Sequence, residues 1–285
     1  MTDARTVSVF PDGPGGGNPA PVVLDARGMS DGEMQQVARA TGHESAFVVD
    51  ATGTGCDLAL RFWVPNHEMS MCGHATVGTV WLLASLGQLP SPGGLRVHTA
   101  SGVVRARVDR GGEVSISQPV GRVEAVDDDA EVLDVLGLMR ADLADRPVRN
   151  ATTSRTKTLV PVRDVATLDA LAPALDRVEA ACAAIGSTGL YPYAVSGERQ
   201  VDARQFPRSS GYPEDAATGI AAAALAFGLL ADGVVDADER PITVRQGRVM
   251  GRPSRITVRL SFRDGRVDGC WLGGPVRLIG TTAGT

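Results

Sequence analysis

The side chains with the most evident chemistry stand at the start of a helix predicted within residues 71–86. Cys72 and His74 lead directly into an apolar run long enough for about three helical turns. Free backbone N–H groups and the positive end of the helix dipole gather at such a start, so it can receive an anion. A histidine there can donate to a substrate carboxylate or transfer a proton near neutral pH.

A second polar loop leads into a second apolar helix 142 positions later. Glu214 and Asp215 precede the apolar run 220–230, just as Cys72 and His74 precede the first one. Half of the 285 residues is about the same number, so the chain reads as two copies of one unit. Two polar helix starts facing one cleft would gather His74 and Asp215 around a small volume, where a shielded carboxylate can act as a general acid or base.

Each of these residues also has a structural interpretation, which the residue types alone leave open. His74 can cap its helix and bond to a neighbouring loop, and Asp215 can complement a helix dipole. Cys72 is activated by the dipole if it is exposed, but cysteine is also a common small core residue. Glu44 is expected at a junction between a loop and a strand, where an exposed turn carboxylate is the alternative.

Composition and charge narrow the class of protein. An apolar content of 43% suits a well-buried core, and a net charge of −5 with scattered arginines argues against nucleic acid and anionic membrane partners. We therefore expect a small-molecule partner. No apolar run reaches the roughly 18 to 20 residues of a membrane span, and the first residues lack the apolar core of a signal peptide. A cytoplasmic protein is expected.

Cysteine spacing and the glycine-rich turn argue against a metal and against a dinucleotide. The four cysteines are widely spaced, without a C-x-x-C pair or a histidine at zinc-ligand spacing, so we expect reduced thiols and no metal. The turn over residues 11–19 has Asn18 where a dinucleotide fingerprint needs glycine, and a strand rather than a helix follows it. A turn lying close to a ligand is the better interpretation.

The elements that must position these residues repeat in order. A helix over 31–41 begins after the N-cap Ser30 and ends at Gly42, and short strands surround the helix that starts near Cys72. The second half repeats the pattern with a helix over 165–184 and another over 218–230, after a linker region between 120 and 149 that carries a short helical pattern over 129–138. We place the two halves at residues 1–127 and 128–285, with the last strand able to pack back on the first half.

Five motifs identify a known family. They are residues 16–19 (GGNP), 43–48 (HESAFV), 72–76 (CGHAT), 214–219 (EDAATG) and 246–254 (QGRVMGRPS). In this order, and over nearly the whole chain, they resemble the phenazine-biosynthesis isomerase family (PhzF-like). The resemblance implies an α+β, diaminopimelate-epimerase-like fold: two pseudo-symmetric domains, each a curled and mainly antiparallel sheet around a central helix. It also implies a cofactor-independent site between the domains and a homodimer.

The resemblance also implies roles for individual residues. Glu44 resembles the family's proton-transferring carboxylate, and His74 and Asp215 resemble its catalytic partners. The residues predicted to contact the substrate are Asn18, Cys72, Gly73, Thr76, Thr218, Gly219 and Ile220. One of them departs from the family, which usually has a serine where this chain has Ile220. An isoleucine cannot donate a hydrogen bond, which puts the standard phenazine substrate in doubt.

The sequence therefore predicts a cofactor-independent isomerase that moves a proton and a double bond in a small unsaturated amino acid or carboxylic acid. Bacterial secondary metabolism is the expected setting, with phenazine-type and 4-alkylproline-type precursors as substrate classes. One alternative is an amino-acid epimerase or racemase that uses Glu44 and Cys72 as its two opposed bases. Another is a non-catalytic binding or interaction protein of the same fold; the joint presence of Glu44, His74 and Asp215 argues against it.

Overall fold

The computed structural model describes residues 4–89 and 94–282, which divide into two compact units. Unit one is described over residues 4–89, 94–117 and 273–282, and unit two consists of residues 118–272. The chain thus passes from one unit to the other after Ser117 and returns at Gly273. The boundary predicted between residues 127 and 128 stays a prediction.

Unit one begins with a well-capped surface helix that leads to Glu44. Helix α1 (Asp31–Thr41) has a capping box, in which Ser30 and Glu33 each bond the other's backbone N–H group. It ends at Gly42, whose φ of 68° belongs to the left-handed region that favours glycine. Both predicted ends of this helix are confirmed.

The strands of unit one alternate between antiparallel and parallel pairing. β1 pairs with β2 and with the last strand, β18, in antiparallel fashion, β2 and β3 are parallel, and β3 and β4 are antiparallel. β4 and β6 are parallel, and β6 and β7 are antiparallel. The bounds are β1 Ala4–Val9, β2 Asn18–Val23, β3 Ser45–Val49, β4 Leu58–Trp63, β5 Glu68–Met69, β6 Leu95–Thr99, β7 Gly102–Val108, β8 Val114–Pro119 and β18 Val276–Thr282.

Helix α2 (Gly73–Ser85) is the central helix of unit one. It packs on β1, β2, β3, β7 and β18, and its residues are buried on all sides over its first two turns. A helix that is apolar around its whole circumference belongs in a core rather than on a surface. Gly78 permits the close approach to β1, since a Cβ atom there would lie 2.7 Å from Val7 Cγ2.

Unit two repeats this pairing pattern strand for strand. β10 and β11 are antiparallel, β11 and β12 parallel, β12 and β13 antiparallel, β13 and β15 parallel, and β15 and β16 antiparallel. The bounds are β9 Arg122–Ala125, β10 Arg149–Thr152, β11 Thr156–Pro161, β12 Gly189–Gly197, β13 Gln200–Ala203, β14 Phe206–Pro207, β15 Ile242–Gln246, β16 Ser254–Arg263 and β17 Arg266–Gly274. The predicted pseudo-symmetric α+β fold is confirmed.

Helix α6 (Gly219–Ala231) is the counterpart of α2 and is buried along nearly its whole length. It packs on β9, β10, β11 and β16. Gly228 permits close packing here, because a Cβ atom would lie 2.3 Å from Leu159 Cδ1. Each unit therefore encloses one apolar helix. The predicted site residues Cys72 and His74 lie at the start of α2, and Thr218 lies at the start of α6.

Two local predictions in unit two were wrong. The single helix predicted over 165–184 is broken at Pro173 into α4 (Val165–Ala170), a 3-10 turn (Leu175–Arg177) and α5 (Val178–Ala184), because proline cannot continue a helix. The region 120–149 is not a linker: it contains β9 and helix α3 (Ala130–Leu136), whose apolar residues lie in the core of unit two. No helix among the described residues has both the length and the apolar character to cross a membrane.

Candidate active site

Glu44 lies in the short connection between helix α1 and strand β3. Gly42 turns the chain in the left-handed conformation, and β3 begins at Ser45, so Glu44 is the last residue before the strand. The side chain of Glu44 is only 10% exposed. The predicted loop-to-strand position is confirmed, and the alternative of an exposed turn carboxylate does not hold.

Cys72 and His74 lie at the start of helix α2. Cys72 is the N-cap residue in an extended conformation, and its carbonyl oxygen accepts bonds from the backbone N–H and the hydroxyl of Thr76, the latter at 2.7 Å. This bond fixes the first helical turn. The side chains of Cys72 and His74 are 2% and 4% exposed, so both stand in a largely water-free environment.

The three side chains form one compact cluster, which we call the Glu44–Cys72–His74 cluster. The thiol of Cys72 donates to Glu44 Oε2 at 3.0 Å, and His74 Nδ1 lies 3.3 Å from the same oxygen and 3.4 Å from Cys72 Sγ. The other ring nitrogen, His74 Nε2, is buried and has no hydrogen-bond partner in residues 4–89 and 94–282. A buried carboxylate held by a thiol and an imidazole is suited to taking up and releasing a proton.

The geometry of this cluster does not fit a pair of opposed bases. Two bases that act on opposite faces of one carbon each lie roughly 3 to 3.5 Å from it, and so stand about twice that far apart. Glu44 Oε2 and Cys72 Sγ are hydrogen-bonded at 3.0 Å, which leaves no room for a carbon between them. The epimerase alternative built on these two residues therefore has no geometric support.

Unit two presents a different polar cluster at the start of helix α6. Thr218, its N-cap residue, donates its hydroxyl to Asp215 Oδ2 at 2.5 Å. Gln246 Nε2 donates to the backbone oxygen of Asp215 at 2.7 Å and to Thr218 Oγ1 at 3.1 Å. Tyr191 donates its phenolic hydroxyl to Gln246 Oε1 at 2.9 Å. Asp215 is 8% exposed, and its carboxyl group accepts a hydrogen bond from the neutral hydroxyl of Thr218.

Tyr191 keeps its proton in this environment. Burial, and next to it the carboxylate of Asp215, raise the pKa of Tyr191 well above its usual value. The tyrosine therefore stays a donor to Gln246 throughout the ordinary pH range. Neither Tyr191 nor Gln246 was among the predicted site residues, although Gln246 opens the last of the five motifs; its 2% exposure as a polar residue on a strand is a structural signal.

The remaining predicted contact residues lie at the ends of elements. Gly73 and Gly219 are the first residues of α2 and α6, and Ile220 follows Gly219 with 5% exposure. Asn18 is the first residue of β2 and is 7% exposed. Just before it, Gly17 has a φ of 92° and packs so closely on β1 that a Cβ atom would lie 2.2 Å from Ser8 Oγ. The structure thus brings Glu44, Cys72 and His74 together in unit one, and Asp215 with Thr218 in unit two.

Comparisons with known proteins agree with the fold described above. The family model for phenazine biosynthesis-like proteins matches residues 7–270. A protein of Escherichia coli O157:H7 called uncharacterized isomerase YddE is 30% identical over 286 residues, which cover 96% of this chain and 95% of that protein. The trans-2,3-dihydro-3-hydroxyanthranilate isomerase of Pseudomonas chlororaphis is 30% identical over 267 residues, covering 92% and 90%. The crystal structure of a Bacillus anthracis phenazine biosynthesis protein of the PhzF family superposes with a TM-score of 0.87 at 25% identity, covering 99% and 98%.

Proposed function

Since the chain belongs to the phenazine biosynthesis-like family and is an isomerase, we propose that it shifts a proton, and with it a double bond, in a small unsaturated amino acid or carboxylic acid. The observation that carries this proposal is the buried carboxylate of Glu44, held by Cys72 and His74 at 3.0 and 3.3 Å. Such a shift needs only a group that takes a proton from one carbon and delivers it to another. It needs no cofactor.

The proposed step balances without a co-reactant. Glu44 removes a proton from an acidified carbon of the substrate, and the electron pair of that C–H bond becomes part of a new double bond. The original double bond moves along the conjugated system, and its far carbon takes the proton from the Glu44 carboxyl group. The thiol of Cys72 bonds to the carboxylate form of Glu44 and so keeps the base oriented between the two transfers.

Negative charge develops on the substrate while the proton is away. The start of α2 offers free backbone N–H groups at Gly73 and His74 and the positive end of the helix dipole, which would hold the substrate's carboxylate and stabilise this charge. His74 Nε2, which has no hydrogen-bond partner among the described residues, would bond to the substrate from the same side. We propose that Asp215 also contributes, through binding and proton handling rather than as the main base.

The substrate class follows from the departure at Ile220. An apolar side chain at the start of α6 favours an alkyl group or a ring edge over a hydroxyl group. We therefore propose a 4-alkylproline-type precursor ahead of a phenazine-type precursor, in bacterial secondary metabolism. Within the proposal the protein is a cytoplasmic homodimer, which light scattering of the purified protein would test for its oligomeric part.

Proton NMR of a matched pair of substrates tests the proposal. We expect double-bond migration in an alkyl-substituted dienoic amino acid, and a slower reaction with trans-2,3-dihydro-3-hydroxyanthranilate. Ile220→Ser should reverse part of that preference, because burying a few methylene equivalents is worth on the order of 1 to 3 kcal/mol. Inversion of an α carbon without migration of a double bond would overturn the isomerisation, and unchanged selectivity in Ile220→Ser would remove this residue from substrate recognition.

A further inference from the structure

The Glu44–Cys72–His74 cluster has a second chemical property besides proton transfer. Within the described residues it is the one group of three metal-ligating side chains whose ligand atoms lie close together. A carboxylate, a thiolate and an imidazole are the three side-chain ligands that zinc takes in proteins. The sequence spacing concealed the group, because Glu44 lies 28 positions before Cys72.

The spacing of the three ligand atoms matches one face of a tetrahedral zinc site. Zinc binds carboxylate oxygen and imidazole nitrogen at about 2.0 to 2.2 Å and thiolate sulfur at about 2.3 Å, so tetrahedral ligands lie roughly 3.3 to 3.6 Å apart. Here Glu44 Oε2, Cys72 Sγ and His74 Nδ1 are separated by 3.0, 3.3 and 3.4 Å. Movements of a few tenths of an ångström would complete the face and leave a fourth position open.

Binding of the metal replaces the hydrogen bond that now links two of the ligands. The thiol proton of Cys72, which bonds to Glu44 Oε2, would leave to solvent as the thiolate coordinates the cation. The imidazole would coordinate through Nδ1 and keep its hydrogen on Nε2. One cation therefore enters and one thiol proton leaves, and nothing is oxidised or reduced.

We propose that the Glu44–Cys72–His74 cluster reversibly binds a thiophilic divalent cation of the zinc type, and that the bound cation inhibits the enzyme. Only the inhibition rests on the proposed function, because the coordinated oxygen of Glu44 could no longer accept a proton. The positive end of the α2 dipole lies at the same place and opposes a cation. This opposition makes the metal an inhibitor that a chelator removes rather than a resident group, so treatment with a chelator leaves activity unchanged or raises it.

Titration of the reduced, metal-free protein with Co²⁺ tests the site without any substrate. We expect one Co²⁺ per chain with the thiolate-to-cobalt charge-transfer absorption of a cysteine ligand, and loss of that band when Zn²⁺ is added. Cys72→Ser should abolish the band and weaken binding by more than the roughly 10- to 100-fold typical of losing an outer partner of a metal ligand. Cys56→Ser is the matched control, because Cys56 is a free and more exposed cysteine outside the cluster; it should bind as the wild type does.

Two results would overturn the proposal, and neither depends on knowing the reaction. One is the absence of a thiolate band at millimolar Co²⁺, and the other is a band that survives in Cys72→Ser but disappears in Cys56→Ser. Thermal unfolding of both variants establishes that they are folded. A band that depends on Cys72 would support the metal site even if the proton-transfer role of Glu44 fails, so the two failures are distinguishable.

Discussion

The starts of helices α2 and α6 occupy equivalent places in two units with the same strand pairing, yet they carry different groups. At α2, a carboxylate, a thiol and an imidazole meet within 3.4 Å, and His74 Nε2 has no hydrogen-bond partner in the part of the chain that the structure describes. At α6, the carboxylate of Asp215 accepts a bond from a hydroxyl, while an amide bonds to its backbone oxygen and a tyrosine bonds to that amide. One start gathers three ionisable side chains, and the other has an ordered network of hydrogen bonds from neutral side chains.

The difference extends to the connections that precede each helix. Gly42 and Gly186 both end a helix in the left-handed conformation, and the second residue after each is Glu44 in unit one and Thr188 in unit two. The hydroxyl of Thr188 donates a hydrogen bond to the carbonyl oxygen of Thr156. The two units thus share one architecture, but only unit one has a carboxylate at this position. This difference fits the proposal that unit one transfers the proton and unit two contributes to substrate binding.

Glu44→Gln should give the largest effect and make the two helix starts more alike. The amide keeps the size of the side chain but cannot accept the proton, so turnover should fall by about 10² to 10⁴ while the fold and substrate affinity persist. Steady-state kinetics and a binding titration measure both quantities. Glu113→Gln, at an exposed turn of the same unit, is the matched control. A near-normal rate in Glu44→Gln would remove this residue from the mechanism.

Asp215→Asn tests the carboxylate of unit two and should cost less. The lost charge weakens the bond from Thr218 and the proposed interaction with the substrate, and a hydrogen bond to a charged group is worth about 1.5 to 3 kcal/mol. We expect kcat/KM to fall by roughly 10- to 150-fold. Asp236→Asn, a change at an exposed acid of unit two, should have no effect. A loss in Asp215→Asn as large as that in Glu44→Gln would contradict the division between the two units.

Cys72→Ser should have a modest effect, because the serine hydroxyl can still donate to Glu44. Cys72→Ala removes that donor and should lower turnover further, by the roughly 1.5 to 3 kcal/mol of a bond to a charged group. Steady-state kinetics of the two variants, with thermal unfolding as a control for packing, give this comparison. A serine variant that binds substrate but is inactive, alongside an active Glu44→Gln, would make the thiol the base instead.

Tyr191→Phe should have the smallest effect of these variants, and we expect it in the stability of the fold rather than in turnover. Loss of its bond to Gln246 should lower the free energy of unfolding at neutral pH by about 0.5 to 1.5 kcal/mol. Tyr193→Phe, a change at another buried tyrosine of the same strand, is the control. Denaturant unfolding of both variants measures the difference, and equal losses would show that the network adds no stability.

The stability contributed by Tyr191 should also depend on pH. Burial raises the pKa of Tyr191 in the folded protein above its unfolded value of about 10. The neutral tyrosine therefore contributes stability that is complete below about pH 10 and is lost as the pH rises further. The wild type should lose stability in this alkaline range more steeply than Tyr191→Phe does. Parallel pH profiles of unfolding in the two proteins would contradict this assignment.

Local signals in the sequence predicted the elements whose formation depends on residues close together in the chain. Ser30 with Glu33 and Gly42 marked both ends of α1, and the apolar runs marked α2 and α6. The apolar pattern over 165–184 predicts one helix, but Pro173 separates α4 from α5. Recognition of the site depended on motifs rather than on spacing.

Contacts across long stretches of sequence could not be predicted in this way. Glu44 meets Cys72 over 28 positions because β3 packs on α2, and Tyr191 meets Gln246 over 55. Neither distance carries a periodic signal. The expectation of no metal stays a prediction, and it rested on sequence spacing, which does not register three side chains brought together from a loop and a helix start.

The most direct test of the account is a single-turnover reaction in D₂O, followed by NMR, for the wild type and for Glu44→Gln. We expect the wild type to break one substrate C–H bond and to form a new one at a different carbon of the conjugated system, with the hydrogen that Glu44 removed appearing at that carbon and little deuterium entering from the solvent. In Glu44→Gln, which binds the same substrate, both events should slow together by at least about 10². Transfer of this hydrogen at a wild-type rate in Glu44→Gln would contradict the central claim that Glu44 carries the proton.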